Sequence, residues 1–271
     1  MTQPVQPADS DDVLFAVRNL TRVFGEGGWF KSGPGLTALD RVSFDLKAKA
    51  TLGVVGESGS GKSTLARILI GMDQPTGGDI HYRGRPLADW LSRDRRAFYR
   101  EVQFVFQDPA SSLNPRRRIR DILEAPLIHL CGLEESDRRT RIRDILEAVR
   151  MPTDCLDRFP HAFSGGQAQR ISLARALVSR PRVVLLDEAV SALDVSVQAQ
   201  VLHLLRELRQ AFDLALLFIS HDLAVVEVVC EHLMVLKDGQ CVEAGTRERV
   251  LHQPQSAFTR ELMTSVFSLE G

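Results

Sequence analysis

Gly56-Glu57-Ser58-Gly59-Ser60-Gly61-Lys62-Ser63-Thr64 follows the apolar run Leu52 to Val55 and precedes Leu65, Ala66, Ile68 and Leu69. The run before it suits a short buried strand, and the residues after it recur at the spacing of one helical face. Strand, glycine-rich turn and helix carrying G-x-x-x-x-G-K-S/T make a phosphate-binding loop. Glycines let the backbone curl so that N–H groups point inward at an anion, and the helix start adds its positive dipole end. Lys62 then reaches terminal phosphates, and the Ser63 hydroxyl is placed to hold Mg²⁺. A glycine-rich turn that binds nothing is the competing reading; the flanking strand and helix weigh against it.

A second stretch answers the first. Arg182-Val183-Val184-Leu185-Leu186-Asp187-Glu188 reads as a buried strand of parallel type ending in two carboxylates. Asp187 at such a strand end suits Mg²⁺, and Glu188, on the other side of the strand end, suits activation of an attacking water. Leu214 to Ile219 is a further buried strand, ending in Ser220-His221-Asp222; His221 lies on the edge where parallel sheets bind ligands. Val102 to Phe106 is a short run of strand formers leading to Gln107, whose amide suits contact with Mg²⁺ or the water. Phe163-Ser164-Gly165-Gly166-Gln167 opens a helix carried on Ile171, Ala174, Leu177 and Val178, with Ser164 as its cap and Pro181 beyond its end. Two glycines and a serine at a helix start form a second anion site. Ser191 to Asp194 is a tight polar turn into another helix.

The remaining segments frame these. Val13 to Phe24 and Val42, Phe44, Leu46 alternate as strands, joined by Gly25 to Gly35 with Trp29 and Phe30; Ile80 to Tyr82 adds a third, giving an antiparallel layer. Phe24 is placed either to stack on an adenine ring or to serve as a core aromatic. Ile122, Leu123, Leu127, Ile128, Ile142, Ile145, Leu146 and Val149 recur at helical spacing, so the stretch from Pro109 to about Val178 is a helical insert. Arg116-Arg117-Arg118 near its start is a solvated face or a contact with a membrane-surface partner. Met234 to Glu243 reads as a hairpin around Asp238-Gly239, and Phe258 to Phe267 as a last helix.

The expected division is a loose polar tail over 1–12 and one domain over 13–271. Within it, 13–107 carries the β layer and phosphate loop, 108–178 the helical subdomain, and 179–271 the rest of the core. The 271 residues and a net charge of −1 give room for a large core and no global field for nucleic acid. Four cysteines (Cys131, Cys155, Cys230, Cys241) without C-x-x-C spacing suit buried thiols in a reduced, cytosolic protein, and the seven histidines show no metal-binding pattern. Cys230 and His232 read as a core thiol beside a surface imidazole. No apolar stretch approaches the ~20 residues that cross a bilayer.

Taken together, these motifs resemble the ATP-binding subunit of ABC transporters, in the family's order and over nearly the whole chain. The resemblance implies an α/β P-loop fold of ABC type: a mainly parallel core sheet, an antiparallel β subdomain and a helical subdomain. It implies ATP bound by Phe24, Gly56 to Thr64 (Gly56, Glu57, Ser58, Gly59, Ser60, Gly61, Lys62, Ser63, Thr64) and, across a head-to-tail pair, Ser164, Gly165, Gly166 and Gln167 of a second ATPase subunit. Glu188 is then the general base, Ser63, Asp187 and Gln107 stand at Mg²⁺, and His221 bridges the terminal phosphate and the water. It further implies two membrane permease subunits, an external solute-binding protein and a place at the cytoplasmic face of the membrane, with no nucleic acid. Phe106 to Pro115 and Ala192 to Gln200 look like the peptide and nickel importer branch, and Asp187 to Ser191 and Arg83 to Leu87 like its nickel-importing members. Phe163 stands where leucine is usual, and Ser256-Ala257-Phe258-Thr259 departs from the H-P-Y-T of peptide importers. Two rival expectations stand beside this: an ABC-type ATPase acting on DNA or ribosomes, and a non-hydrolysing regulatory subunit. The first usually needs two nucleotide units or a long coiled-coil insert, neither of which is present; the second would lack Glu188, His221 or the signature.

Overall fold

The computed structural model describes residues 12–25, 35–108 and 112–267. The expected tail up to residue 11, Trp29 and Phe30 of the first connection, and Pro109 to Ser111 lie outside the described residues. Two sheets carry the fold. In the first, β1 (Val13–Phe24), β2 (Leu36–Lys47), β4 (Gly77–Tyr82) and the short β5 (Arg85–Pro86) pair antiparallel in the order β2-β1-β4-β5. In the second, β3 (Thr51–Val55), β6 (Val102–Val105), β7 (Val183–Asp187), β8 (Ala215–Ile219), β9 (His232–Lys237) and β10 (Gln240–Thr246) run in the order β10-β9-β3-β8-β7-β6. All its pairings are parallel except β9 with β10, which turn at Asp238-Gly239 as expected. Every residue of β3, β7 and β8 is buried, which is why these strands read as unbroken apolar runs rather than alternating ones.

Between β3 and β4 lies helix α1 (Lys62–Leu69), with Leu65, Ala66, Ile68 and Leu69 on its buried face. Short helices α2 (Leu87–Arg93) and α3 (Arg95–Glu101) lead into β6. The helical insert follows as α4 (Ile119–Pro126), α5 (Glu135–Ala148) and α6 (Gly165–Leu177). After β7 comes α7 (Val195–Ala211), then α8 (Leu223–Val229) after β8, and α9 (Arg247–His252) and α10 (Ala257–Phe267) at the end. Ile128 departs from expectation. Leu127, at the start of a π-helical turn over Leu127–Cys131, stays buried, whereas Ile128 lies about 180° around a helix from Ile119, at about 100° per residue, and turns to solvent. Burial pushes the Cys155 thiol up to about 11 and the Cys230 thiol up to about 12, so both remain protonated and inert. His232 beside Cys230 is exposed.

The antiparallel sheet is tied to the edge of the parallel one through Tyr82. Its ring is fully buried among Phe15, Trp90 and Phe98, with centroids 4.9, 5.5 and 5.4 Å away. Its hydroxyl donates to Glu101 Oε2 at 2.9 Å, and Glu101 is the last residue before β6. Arg83 Nη1 donates to the same carboxylate at 3.0 Å. Burial, and then the Glu101 charge, push the phenol's pKa upward and keep it a donor. Tyr82→Phe leaves Glu101 paired with Arg83 and is expected to cost about 1 kcal/mol, whereas Tyr82→Ala opens a cavity and costs about 3–5 kcal/mol. Urea midpoints of the two variants check this; equal losses would mean that the ring contributes nothing beyond its hydroxyl.

Candidate nucleotide site

The parallel register decides where the site residues lie. Val54 pairs with Ile219, Asp187 with Ile219, and Val105 with Leu186, so β3, β8, β7 and β6 end on one edge. Gly56, Ser220, Glu188 and Gln107 leave the sheet there, at the carboxyl ends of the strands.

The loop from Gly56 to Gly61 is closed on its outer side by neighbouring backbone. A Cβ on Gly56 would lie 2.1 Å from the Leu236 carbonyl, and one on Gly61, at φ 103°, would lie 2.3 Å from the Ala38 carbonyl. Only glycine fits in either place. The β9–β10 turn holds the loop directly: Gly239 N–H donates to the Ser60 carbonyl at 3.2 Å, and Asp40 N–H to the Gly239 carbonyl at 2.8 Å. Lys62 is almost fully buried and folds its ammonium over the loop, donating to the carbonyls of Gly56 and Glu57, each at 2.7 Å. Burial holds its pKa below the usual lysine value, against the opposing pull of Glu188, Asp187 and Glu57. An anion seated in the loop would offer this ammonium a charged partner in place of two carbonyls.

Opposite the loop, Ser63 Oγ donates to Asp187 Oδ1 at 3.1 Å. Burial raises the Asp187 carboxyl above the usual carboxylate range, with the Ser63 hydrogen bond pulling it back. Glu188 follows in a left-handed conformation, φ 47°, with its N–H donating to the Ile219 carbonyl at 2.9 Å. Its carboxylate lies between two partners. Gln107 Nε2 donates to Oε2 at 2.8 Å, and His221 Nδ1 lies 3.2 Å from Oε1. Asp187, Glu188, Gln107, His221 and Ser63 are thus brought together beside Lys62. Hard oxygen donors from Ser63 and Asp187, with the Gln107 amide nearby, match what Mg²⁺ takes from a protein when phosphates supply the rest.

Ser164 to Gln167 lie elsewhere. Ser164 Oγ accepts from Gln167 N–H at 3.4 Å and Gln167 Oε1 from Ser164 N–H at 3.1 Å, a capping box that starts α6. Among the described residues no hydrogen bond joins this segment to the phosphate loop. Phe24 stands at the end of β1, 36% exposed, with the Arg22 guanidinium 4.4 Å above its ring centre. The sequence reading missed Arg22 and the bracing of the loop by Asp238-Gly239; the D-G turn was legible, but its contact with Ser60 joins residues far apart in the chain.

A glycine-rich strand–turn–helix facing a strand that ends in Asp187, on a parallel sheet, defines a P-loop nucleoside triphosphatase. Residues 39–191 match the family model described as ABC transporter. The chain is 45% identical over 238 residues to the dipeptide transport ATP-binding protein DppF of Escherichia coli K12, covering 88% of this chain and 71% of that one. It is 45% identical over 230 residues to the nickel import ATP-binding protein NikE of Shigella dysenteriae serotype 1, covering 85% and 86%. The ATP-binding cassette MJ0796, solved as a dimer in a post-hydrolysis state bound to ADP and Pi, superposes with a TM-score of 0.73 at 28% identity over 86% of this chain and 99% of that one. CbiO1 of Clostridium perfringens, part of the transporter complex CbiONQ, shares the fold with a TM-score of 0.78 at 23% identity over 95% and 97%. The chain belongs to the ABC transporter family, as an ATP-hydrolysing subunit coupled to transport.

Because the folded-state value of Asp187 is raised, the folded chain takes up its proton at higher pH than the unfolded chain. Stability therefore rises as pH falls through that raised value toward the ordinary 3.8. In chelator, Asp187→Asn is expected to melt at a higher temperature than the parent at neutral pH, with the gap closing on acidification through this window. Thermal melts across pH check it; a variant that is less stable at every pH overturns the assigned burial cost.

Proposed function

We propose that this chain closes head to tail with a second ATPase subunit around two ATP molecules and powers uptake through membrane permeases. The observation that carries the reading is the placement of Glu188, held between Gln107 and His221 beside the phosphate loop, in a chain whose Ser164–Gln167 segment, among the described residues, makes no hydrogen bond to that loop. One chain carrying two anion-binding helix starts that do not meet is half of two sites, and a second subunit's α6 start completes each.

In this reading Lys62 and the loop amides bind the phosphates, and Phe24, backed by Arg22, stacks on the adenine. Ser63, Asp187 and Gln107 would hold Mg²⁺, which neutralises phosphate charge when bound. Glu188 takes a proton from the attacking water, His221 orients that carboxylate and the terminal phosphate, and the Gln107 amide reports whether the site is filled. ATP must bind the closed pair about 5.5 kcal/mol more tightly than the open one to move it from mostly open to mostly closed. The cargo class is a di- or oligopeptide or a nickel complex, supported by the equal likeness to DppF and NikE. Two permeases and an external binding protein are the remaining partners. A peripheral place at the cytoplasmic face of an inner membrane is supported by the likeness to transport ATP-binding proteins; among the described residues no helix is long and apolar enough to cross a membrane.

Glu188→Gln is expected to keep ATP binding, reduce steady-state turnover by about 10²–10⁴-fold, and accumulate an ATP-bound dimer by size-exclusion chromatography. Undiminished turnover would remove Glu188 as the base. Lys62→Ala is expected to weaken ATP binding at least about tenfold by calorimetry, as befits loss of a charge-assisted contact; unchanged affinity would count against the phosphate loop.

A further inference from the structure

The second glycine at the start of α6 is dictated from within the same chain. Gly165 and Gly166 both have ordinary φ values, so backbone conformation does not require glycine at either position. Space does so at Gly166 and is tight at Gly165. A Cβ on Gly166 would lie 2.4 Å from Val197 Cγ1, and one on Gly165 would lie 3.3 Å from Leu193 Cδ2. The seam continues one turn along, where Arg170 Nη2 donates to Gln200 Oε1 at 3.3 Å. Val197 is itself held: its N–H donates to Asp194 Oδ1 at 2.9 Å, and Ser196 Oγ donates to the same oxygen at 2.8 Å. Those hydrogen bonds, the backbone one from Val197 first, keep the Asp194 carboxyl below its usual range and charged. Back along the chain, Leu193 N–H donates to the Val190 carbonyl at 3.2 Å, and Ser191 donates to the Glu188 carbonyl through both its N–H (3.1 Å) and its Oγ (2.9 Å). A continuous set of short contacts therefore runs from Glu188, in its left-handed conformation, through residues 191–197, to Gly165 and Gly166.

We infer that Val197, with Leu193 beside it, is a positioning residue that joins the start of α6 to the Glu188 turn, and that position 166 must be glycine to admit the Val197 methyl. This rests on the proposed function, in which Glu188 serves the chain's own nucleotide and Ser164–Gln167 serves the one held by the second subunit. The contact then makes each chain a rigid link between the two nucleotide sites: a shift of the Glu188 turn at one site moves the helix start that closes the other. Side chains in close packing shift together rather than independently.

A double-mutant cycle on the full chain tests it. Gly166→Ala is expected to lower the melting temperature by about 5 °C, from overpacking against Val197, and to lower kcat about tenfold. KM for ATP is expected to rise as well, because Gly166 also belongs to the segment that closes the second subunit's nucleotide, so the melting temperature is the readout specific to the Val197 contact. Val197→Ala alone should lower kcat with little change in KM, and Val197→Thr, which keeps the branched shape, should restore it. The pair Gly166→Ala/Val197→Ala should recover both melting temperature and kcat to the level of Val197→Ala. Overturning results are a double variant as impaired as Gly166→Ala, or a Val197→Ala enzyme with unchanged kcat. The melting arm needs no nucleotide. Failure of the proposed function would appear as a parent chain without turnover, whereas failure of this inference would appear as an active parent and an unrescued pair.

Discussion

The parallel ladder of β3, β8 and β7 is the constraint from which the site follows. Its register sets Val54 and Asp187 both against Ile219, so the phosphate loop and the two carboxylates emerge side by side although more than a hundred residues separate them. A one-residue slip would turn Asp187 to the other face of the sheet and remove Ser63 as its partner. Complete burial of these three strands enforces the register, because each apolar side chain is committed to one of two packed faces. Glu188 then leaves the ladder in a left-handed conformation fixed by its hydrogen bond to Ile219, which is how adjacent carboxylates acquire different surroundings. Strain at such a position persists only where the surrounding structure holds it.

Electrostatics sharpen the contrast between the two. Asp187 is buried and pushed toward its neutral form, relieved by the Ser63 hydrogen bond and by the Lys62 and Arg67 charges; in the proposed function a divalent cation would add to that relief. Lys62 is under the opposite pressure and satisfies itself on two loop carbonyls. The site is thus built at a cost in the free chain that a bound, metal-complexed nucleotide would relieve. This is the usual relation between a preorganised polar site and stability.

Much of this was legible along the chain because it is local. The loop, the carboxylate-ended strand, the Ser164 cap and the Asp238-Gly239 turn each follow from a few consecutive residues, and each stands where the sequence places it. What escaped depends on the third dimension. Ile128 reads as one more apolar residue of a helical stretch, yet it lies on the side of the turn opposite Ile119 and is exposed. Arg22 lies two residues from Phe24, on the same side of a strand, but nothing in a strand's alternation says that a guanidinium will cover the ring.

By itself the sequence determined the chemistry on offer: a phosphate-binding loop, a pair of carboxylates, a glutamine and a histidine at strand ends, and a second glycine-bearing helix start, in an order that resembles one family. These are written in short motifs, whose conformations are set by steric and hydrogen-bonding rules that act over a few residues. Only the tertiary structure decided which of them meet. It gathers Ser63, Asp187, Glu188, Gln107 and His221 at one sheet edge, braces the loop with a hairpin from the far end of the chain, and sets Val197 under Gly166. The reason is that sheet register and helix packing are settled by burial across distant segments, and no local pattern carries that information.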